Sequence, residues 1–172
     1  MPSVVRRSLR DAVLTIKDGT GTPLEVDVII GTGNITWTVN TPNEYELDRG
    51  VVATGTVRAG DEVPLDVNLT CRYIDVFSDI TGGEDITPYE AMYKKGAAAA
   101  WVSAGADSCE PYAVDLVLVW TPVCTGGTPK TVETVTFAEF RPDSCAFDPD
   151  AGTLVFAGKC KSVHPTVVRT QT

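Results

Sequence analysis

The chain has 172 residues, enough for one domain with a full core, and its 43% hydrophobic and 22% charged content is that of a globular protein rather than a disordered one. A formal net charge of −9 argues against a surface that grips DNA or an anionic membrane. No apolar run reaches the roughly 18 residues a membrane helix needs.

The first ten residues carry Arg6, Arg7 and Arg10 with no apolar stretch behind them, which is not the layout of a secretory signal. A soluble protein made in the cytoplasm is expected. Residues 1–11 read as an N-terminal arm, 12–162 as a β domain and 163–172 as a C-terminal tail.

The dominant hydrophobic period is two, which predicts half-buried strands. Leu14 and Ile16 alternate with Thr15 and Lys17; after the turn residues Asp18-Gly19-Thr20-Gly21, Leu24, Val26, Val28 and Ile30 alternate with Glu25 and Asp27, so a β-hairpin is predicted. A third strand covers residues 35–39. From 40 to 61 the alternation weakens, and this stretch reads as a long loop with strand character returning only over 51–57; loops of that length are commonly functional. Residues 65–73 give the clearest strand, with Leu65, Val67, Leu69, Cys71 and Tyr73 on one side and Asp66, Asn68, Thr70 and Arg72 on the other. A bulge or bend is expected near Asp75-Val76-Phe77.

Thr87-Pro88-Tyr89-Glu90 fits a capping box with proline at the first helical position, and one flanking helix is predicted over about 88–103, with Trp101 as its packing anchor and an exit at Gly105. Residues 112–120 are apolar at nearly every position except Asp115, so a central strand covered on both faces is expected. Strands follow at 131–137 and 140–147, then the turn Asp148-Pro149-Asp150-Ala151-Gly152 and a last strand over 153–162. The predicted fold is mainly β, a sheet-on-sheet barrel or sandwich with one helix.

Chemistry is scarce. The five cysteines (Cys71, Cys109, Cys124, Cys145, Cys160) form no CxxC, and the only histidine is His164. The cysteines read as buried reduced thiols, with one chance disulfide as the alternative. Neither a metal nor a cofactor is expected, and no catalytic residue is assigned. Gly31-Thr32-Gly33 leads into a strand rather than a helix, Asp148-Pro149-Asp150 lacks the further ligands of a calcium loop, and Asp61-Glu62 and Glu84-Asp85 lie in turn-like stretches.

Over Gly55-Thr56-Val57-Arg58-Ala59-Gly60-Asp61-Glu62-Val63-Pro64-Leu65-Asp66-Val67 the sequence resembles the tail tube proteins of long-tailed siphophages. The helix running to Trp101, Cys109-Glu110-Pro111-Tyr112 before an apolar strand, Pro122-Val123-Cys124, the strand Glu133-Thr134-Val135-Thr136-Phe137 and Gly158-Lys159-Cys160 continue the resemblance in order, over roughly residues 50–162. It implies a β domain that assembles with copies of itself into hexameric rings, stacked into a tube that conducts DNA without binding it specifically. Further tail proteins (tape measure, tail terminator, distal tail) would be partners, the virion tail the location, and no membrane would be involved.

On that resemblance, Tyr45, Glu46, Leu47, Asp48, Arg49, Arg58, Asp61 and Glu62 are candidates for ring stacking. Asp27, Asp66, Asn68 and Glu133 are candidates for an acidic lumen wall, and Arg6, Arg7 and Arg10 for an arm docking on a neighbouring subunit. The alternatives are a capsid decoration protein, a tube ring of the type VI secretion kind, or a carbohydrate-binding β-sandwich. The last should show aromatics on an open face, whereas Trp37, Trp101 and Trp120 lie in patterns that suggest core.

Overall fold

Alternating apolar residues become strands where one set can face a shared core. In the computed structural model, which describes residues 9–73, 86–121 and 131–171, they do so in ten antiparallel strands: β1 (Ala12–Lys17), β2 (Glu25–Val28), β3 (Asn34–Thr38), β4 (Asn43–Asp48), β5 (Val51–Ala59), β6 (Leu65–Arg72), β7 (Val114–Trp120), β8 (Thr131–Asp148), β9 (Thr153–Cys160) and β10 (Thr166–Gln171). Among the described residues one α-helix, α1, spans Pro88–Tyr93. The main sheet runs β2-β1-β7-β8-β9-β6-β3, with β10 also paired to β8, while β4 and β5 form a separate two-stranded sheet.

The long strand β8 belongs to two arms. Its first part lies between β7 and β10, and its second part, from Phe140 onward, pairs with β9. Between them Val114 opposes Phe140 and Leu116 opposes Phe137, so two residues, Ala138 and Glu139, face the single residue Asp115. That is a β-bulge, a device that bends a strand and re-aims the residues beyond it. Glu139 takes a positive φ of 51°, and its N–H donates to Asp115 Oδ1 at 2.9 Å. Where β8 turns, the sheet folds over, as strands do at the corners of β-sandwiches.

The arms enclose one core. Leu14, Ile16, Val26, Leu116, Leu118 and Phe137 come from the first arm, and Ile35, Leu65, Val67, Leu69, Leu154 and Phe156 from the second. Trp37 of β3 reaches Phe137 of β8 edge-on, with ring centroids 5.2 Å apart. A backbone bond from Arg72 N to Ile29 O (3.0 Å) crosses between the free ends of the arms, but no strand ladder joins β2 to β3, so the barrel stays open.

The first hairpin, the 65–71 alternation and the capping box stand as predicted. Thr87 Oγ1 accepts from Glu90 N at 3.2 Å while Glu90 Oε2 accepts from Thr87 N at 3.0 Å. The helix, however, stops at Tyr93 instead of running to 103. Lys94 and Gly96 both take positive φ (53° and 49°), and a 3-10 turn, Gly96–Ala100, follows. Alanine-rich sequence favours helix, but burying Ala98 and Trp101 requires the change of direction. Trp101 is buried as expected, whereas Trp37, although on the core side of its strand, is 37% exposed. Tyr73 likewise ends its alternating run exposed.

Two larger differences concern supposed loops and tails. Residues 40–61 contain the β4–β5 hairpin, and the presumed tail contains β10, paired with β8 from Thr166↔Thr136 to Gln171↔Thr131. The strands expected at 131–137 and 140–147 are one. The bend expected near residues 75–77 lies outside the described residues.

Asp18 is the clamp between the β1–β2 turn and the helical segment. Its Oδ1 accepts from Leu24 N (2.8 Å), Thr20 N (3.3 Å) and Thr20 Oγ1 (2.9 Å), and its Oδ2 from Val102 N (3.2 Å). Gly19 fits here because a Cβ would stand 2.0 Å from Ser103 O. Asp18→Ala leaves three backbone donors without this acceptor, and a loss of about 2–4 kcal/mol is expected in a denaturant titration.

Asp115 adds a pH dependence. Burial raises its carboxyl pKa, against the Glu139 N–H that lowers it and the Glu139 charge that adds to the rise. The folded protein therefore holds this proton more tightly than the unfolded chain. This contribution to stability is fully present below the ordinary aspartate value of 3.8 and is lost as pH rises through the folded-state value. Asp115→Asn keeps an acceptor for Glu139 N and removes the titration. Unfolding free energies compared across acid to neutral pH should show the variant gaining on the wild type as pH rises; parallel profiles would exclude this role.

Candidate assembly surfaces

The β4–β5 hairpin is built from a local ladder: Asn43↔Ala59, Glu44↔Arg58, Tyr45↔Val57 and Glu46↔Thr56. Arg49 (φ 50°) and Gly50 (φ 82°) make the two-residue tip between paired Asp48 and Val51, the positive φ at both positions being what a type I′ turn requires. At the base Gly60 N donates to Pro42 O at 2.9 Å. Because β3 leads into β4 and β5 leads into β6, and β3 pairs with β6, the hairpin is the outer part of a ribbon that continues beyond the edge of the second arm.

Strand alternation divides the hairpin into two unlike faces. Tyr45, Leu47 and Val57 fall on one, and Glu44, Glu46, Asp48 and Arg58 on the other, where Arg58 Nε binds Glu44 Oε2 at 2.7 Å. Every residue of β4 is exposed; Tyr45 is 60% and Val57 59% exposed. Six of the eight expected stacking residues (Tyr45, Glu46, Leu47, Asp48, Arg49, Arg58) thus come together on the hairpin, while Asp61 and Glu62 lie exposed in the connection to β6. Glu44 and Val57 belong with them and were not singled out in the sequence, because the cross-strand register decides their neighbours.

The four lumen candidates do not share a wall. Asp27 is on the outer face of the first arm, bonded to Thr15 Oγ1 at 2.7 Å. Asp66 and Asn68 lie on the outer face of the second arm, where Asp66 accepts from Asn40 Nδ2 at 3.0 Å and lies 3.8 Å from Lys159 Nζ. Glu133 corrects the expectation: cross-strand from Trp120, it points to the core side, is 7% exposed, and is bound by the Arg169 guanidinium. Of the arm, Arg6 and Arg7 lie outside the described residues; Arg10 sits in the 3-10 turn Leu9–Asp11.

A charge network braces the bend of β8. Arg141 Nη2 meets Glu110 Oε2 at 2.5 Å and Glu139 Oε2 at 3.2 Å, and Lys161 Nζ meets Glu110 Oε1 at 2.7 Å. The Lys161 hydrogen bond holds the Glu110 carboxyl below its ordinary range. Two carboxylates against two cations leave the network balanced. Among the described residues no group of three or more His, Cys, Asp or Glu side chains is arranged to hold a metal ion, and no helix is long and apolar enough to cross a membrane. No protein-family model matches the chain, and no curated protein matches it either.

Four cysteines, Cys71, Cys109, Cys145 and Cys160, are free thiols. Burial pushes the Cys71 and Cys160 thiols up to about 12, so neither forms thiolate at neutral pH. Under native conditions a thiol-specific reagent should label exposed Cys109 promptly, and Cys71 and Cys160 only after unfolding, as read by peptide mass mapping.

Proposed function

We propose that this chain is the structural subunit of a long-tailed phage tail tube, building stacked hexameric rings whose acidic lumen conducts DNA. The observation that carries the reading is the β4–β5 hairpin, which stands off the sandwich and leaves Tyr45, Leu47 and Val57 open to solvent. An isolated two-stranded hairpin is marginally stable in water, and an amphipathic one gains most when its apolar face is covered. A neighbouring copy is the partner this reading supplies. Among the described residues β2, β3 and β10 have an unpaired edge, which is consistent with it, since edge strands need pairing or protection.

In this reading the outer face of the second arm suits the lumen. It carries Asn34, Thr36, Asp66, Asn68, Thr153 and Ser144, a wetted surface, together with the cations Arg72, Lys159 and Arg141, of which Lys159 faces Asp66 at 3.8 Å and Arg141 is held by Glu110. The arginine arm would dock on the acidic hairpin face of a neighbour, and the tape measure, terminator and distal tail proteins would meet the tube ends.

Concentrated protein should form rings or tubes in negative-stain micrographs. Compact monomers at every salt and protein concentration would sink the reading. Replacing residues 43–59 by a short Gly-Ser linker between Pro42 and Gly60 should lower the circular-dichroism β signal only by the share of β4 and β5 and leave the melting temperature nearly unchanged, while abolishing long tubes. Normal stacking by that variant would remove the hairpin from the interface.

A further inference from the structure

The outer face of the first arm carries a row of apolar side chains that none of the described residues covers. Registers place Val13 beside Val119, Val119 beside Thr134, and Thr134 beside Val168, while Leu14↔Val28 sets Ile29 next to Val13. The row crosses β1, β7, β8 and β10 and takes in the residue just after β2, without a charged residue. Val13 is 52% and Val168 53% exposed, and Ile29 is nearly as open. Strand β7 makes the point independently: its near-continuous apolar sequence is that of a strand covered on both faces, yet Val117 and Val119 on its outer face are only half-buried.

We infer that this row receives the apolar face of the β4–β5 hairpin from a second copy of the chain. The inference rests on the self-assembly proposed above and adds the acceptor to it. The two surfaces match in kind, since the row is Ile29, Val13, Val119, Thr134 and Val168 and the hairpin face Tyr45, Leu47 and Val57, all uncharged. The hairpin is long enough to lie along the row: from Ile29 to Val168 the row spans about 19 Å at the usual strand spacing, and a six-residue hairpin strand, with Tyr45 and Leu47 near its middle, is about 20 Å long. Laid along the row, the hairpin makes an orthogonal sheet-on-sheet contact.

The two surfaces do not meet within one subunit. The hairpin extends from the edge of the second arm, whereas the row is on the outside of the first, and no strand of the first arm packs closely on β4 or β5. Donor and acceptor on different parts of one molecule give a head-to-tail contact, which closes into rings or propagates as a filament.

Complementation tests this directly. Tyr45→Asp/Leu47→Asp removes the donor and Val13→Asp/Val168→Asp the acceptor, all at exposed positions; if the latter pair fails to fold, Thr134→Lys takes its place. Each variant alone should stop at the smallest species the protein forms, measured by analytical ultracentrifugation, and a 1:1 mixture should double that mass, because one intact donor then meets one intact acceptor. Wild-type assembly by either variant, or a mixture no larger than its components, overturns the inference while leaving assembly by another surface standing. A wild-type protein that never associates overturns the tube reading as well.

Discussion

One hydrogen bond sits where the architecture is decided. Glu139 N–H to Asp115 holds the bulge at which β8 leaves one arm and enters the other. Without that turn the strands would make one flat sheet, with an apolar side too large to leave in water. With it, two arms close on a common core, and Trp37 meets Phe137 across it. The network of Glu110, Arg141, Glu139 and Lys161 crosses the same corner, tying the connection before β7 to β8 and to the end of β9. Its ion pairs are partly exposed and individually modest, so their contribution is chiefly to hold direction.

Much of this was legible in the sequence where the physics is local. Period-two alternation identified β1, β2, β3 and β6, and the capping box marked the start of α1, because each depends on residues a few positions apart. The β4–β5 hairpin was read as loop because alternation registers contrast between buried and exposed sides. Neither side of this hairpin is buried, so Tyr45 and Leu47 among acidic neighbours gave little contrast. Its actual signal is Arg49-Gly50 between Asp48 and Val51, a turn with an unusual first residue. The bend in β8 was equally hidden, since it depends on Asp115, which lies more than twenty residues earlier in the chain.

The candidate surfaces were legible in part. The expectation that residues 40–61 carry the stacking contacts fell on a segment that does stand apart, although as a ladder. Glu133 misled because an acidic residue in a Thr- and Val-rich strand looks like a solvated position. Only the pairing of β10 to β8 brings Arg169 beside it and makes its burial tolerable. The apolar pattern of β7 suggested cover on both faces, and the fold supplies it on one. That difference between a strand's composition and its surroundings is what directs attention to the outer row.

The connectivity also imposes an order in time. The hairpin closes through a two-residue turn between adjacent strands, an event of microseconds for an isolated hairpin. The row needs β1 to find β7 about a hundred residues away and the last strand to settle on β8, and long-range β pairing is slow. A chain still being made would therefore present its sticky finger long before it has anywhere for another to land. Two growing copies could not lock together through this contact until at least one had been completed to its final strand.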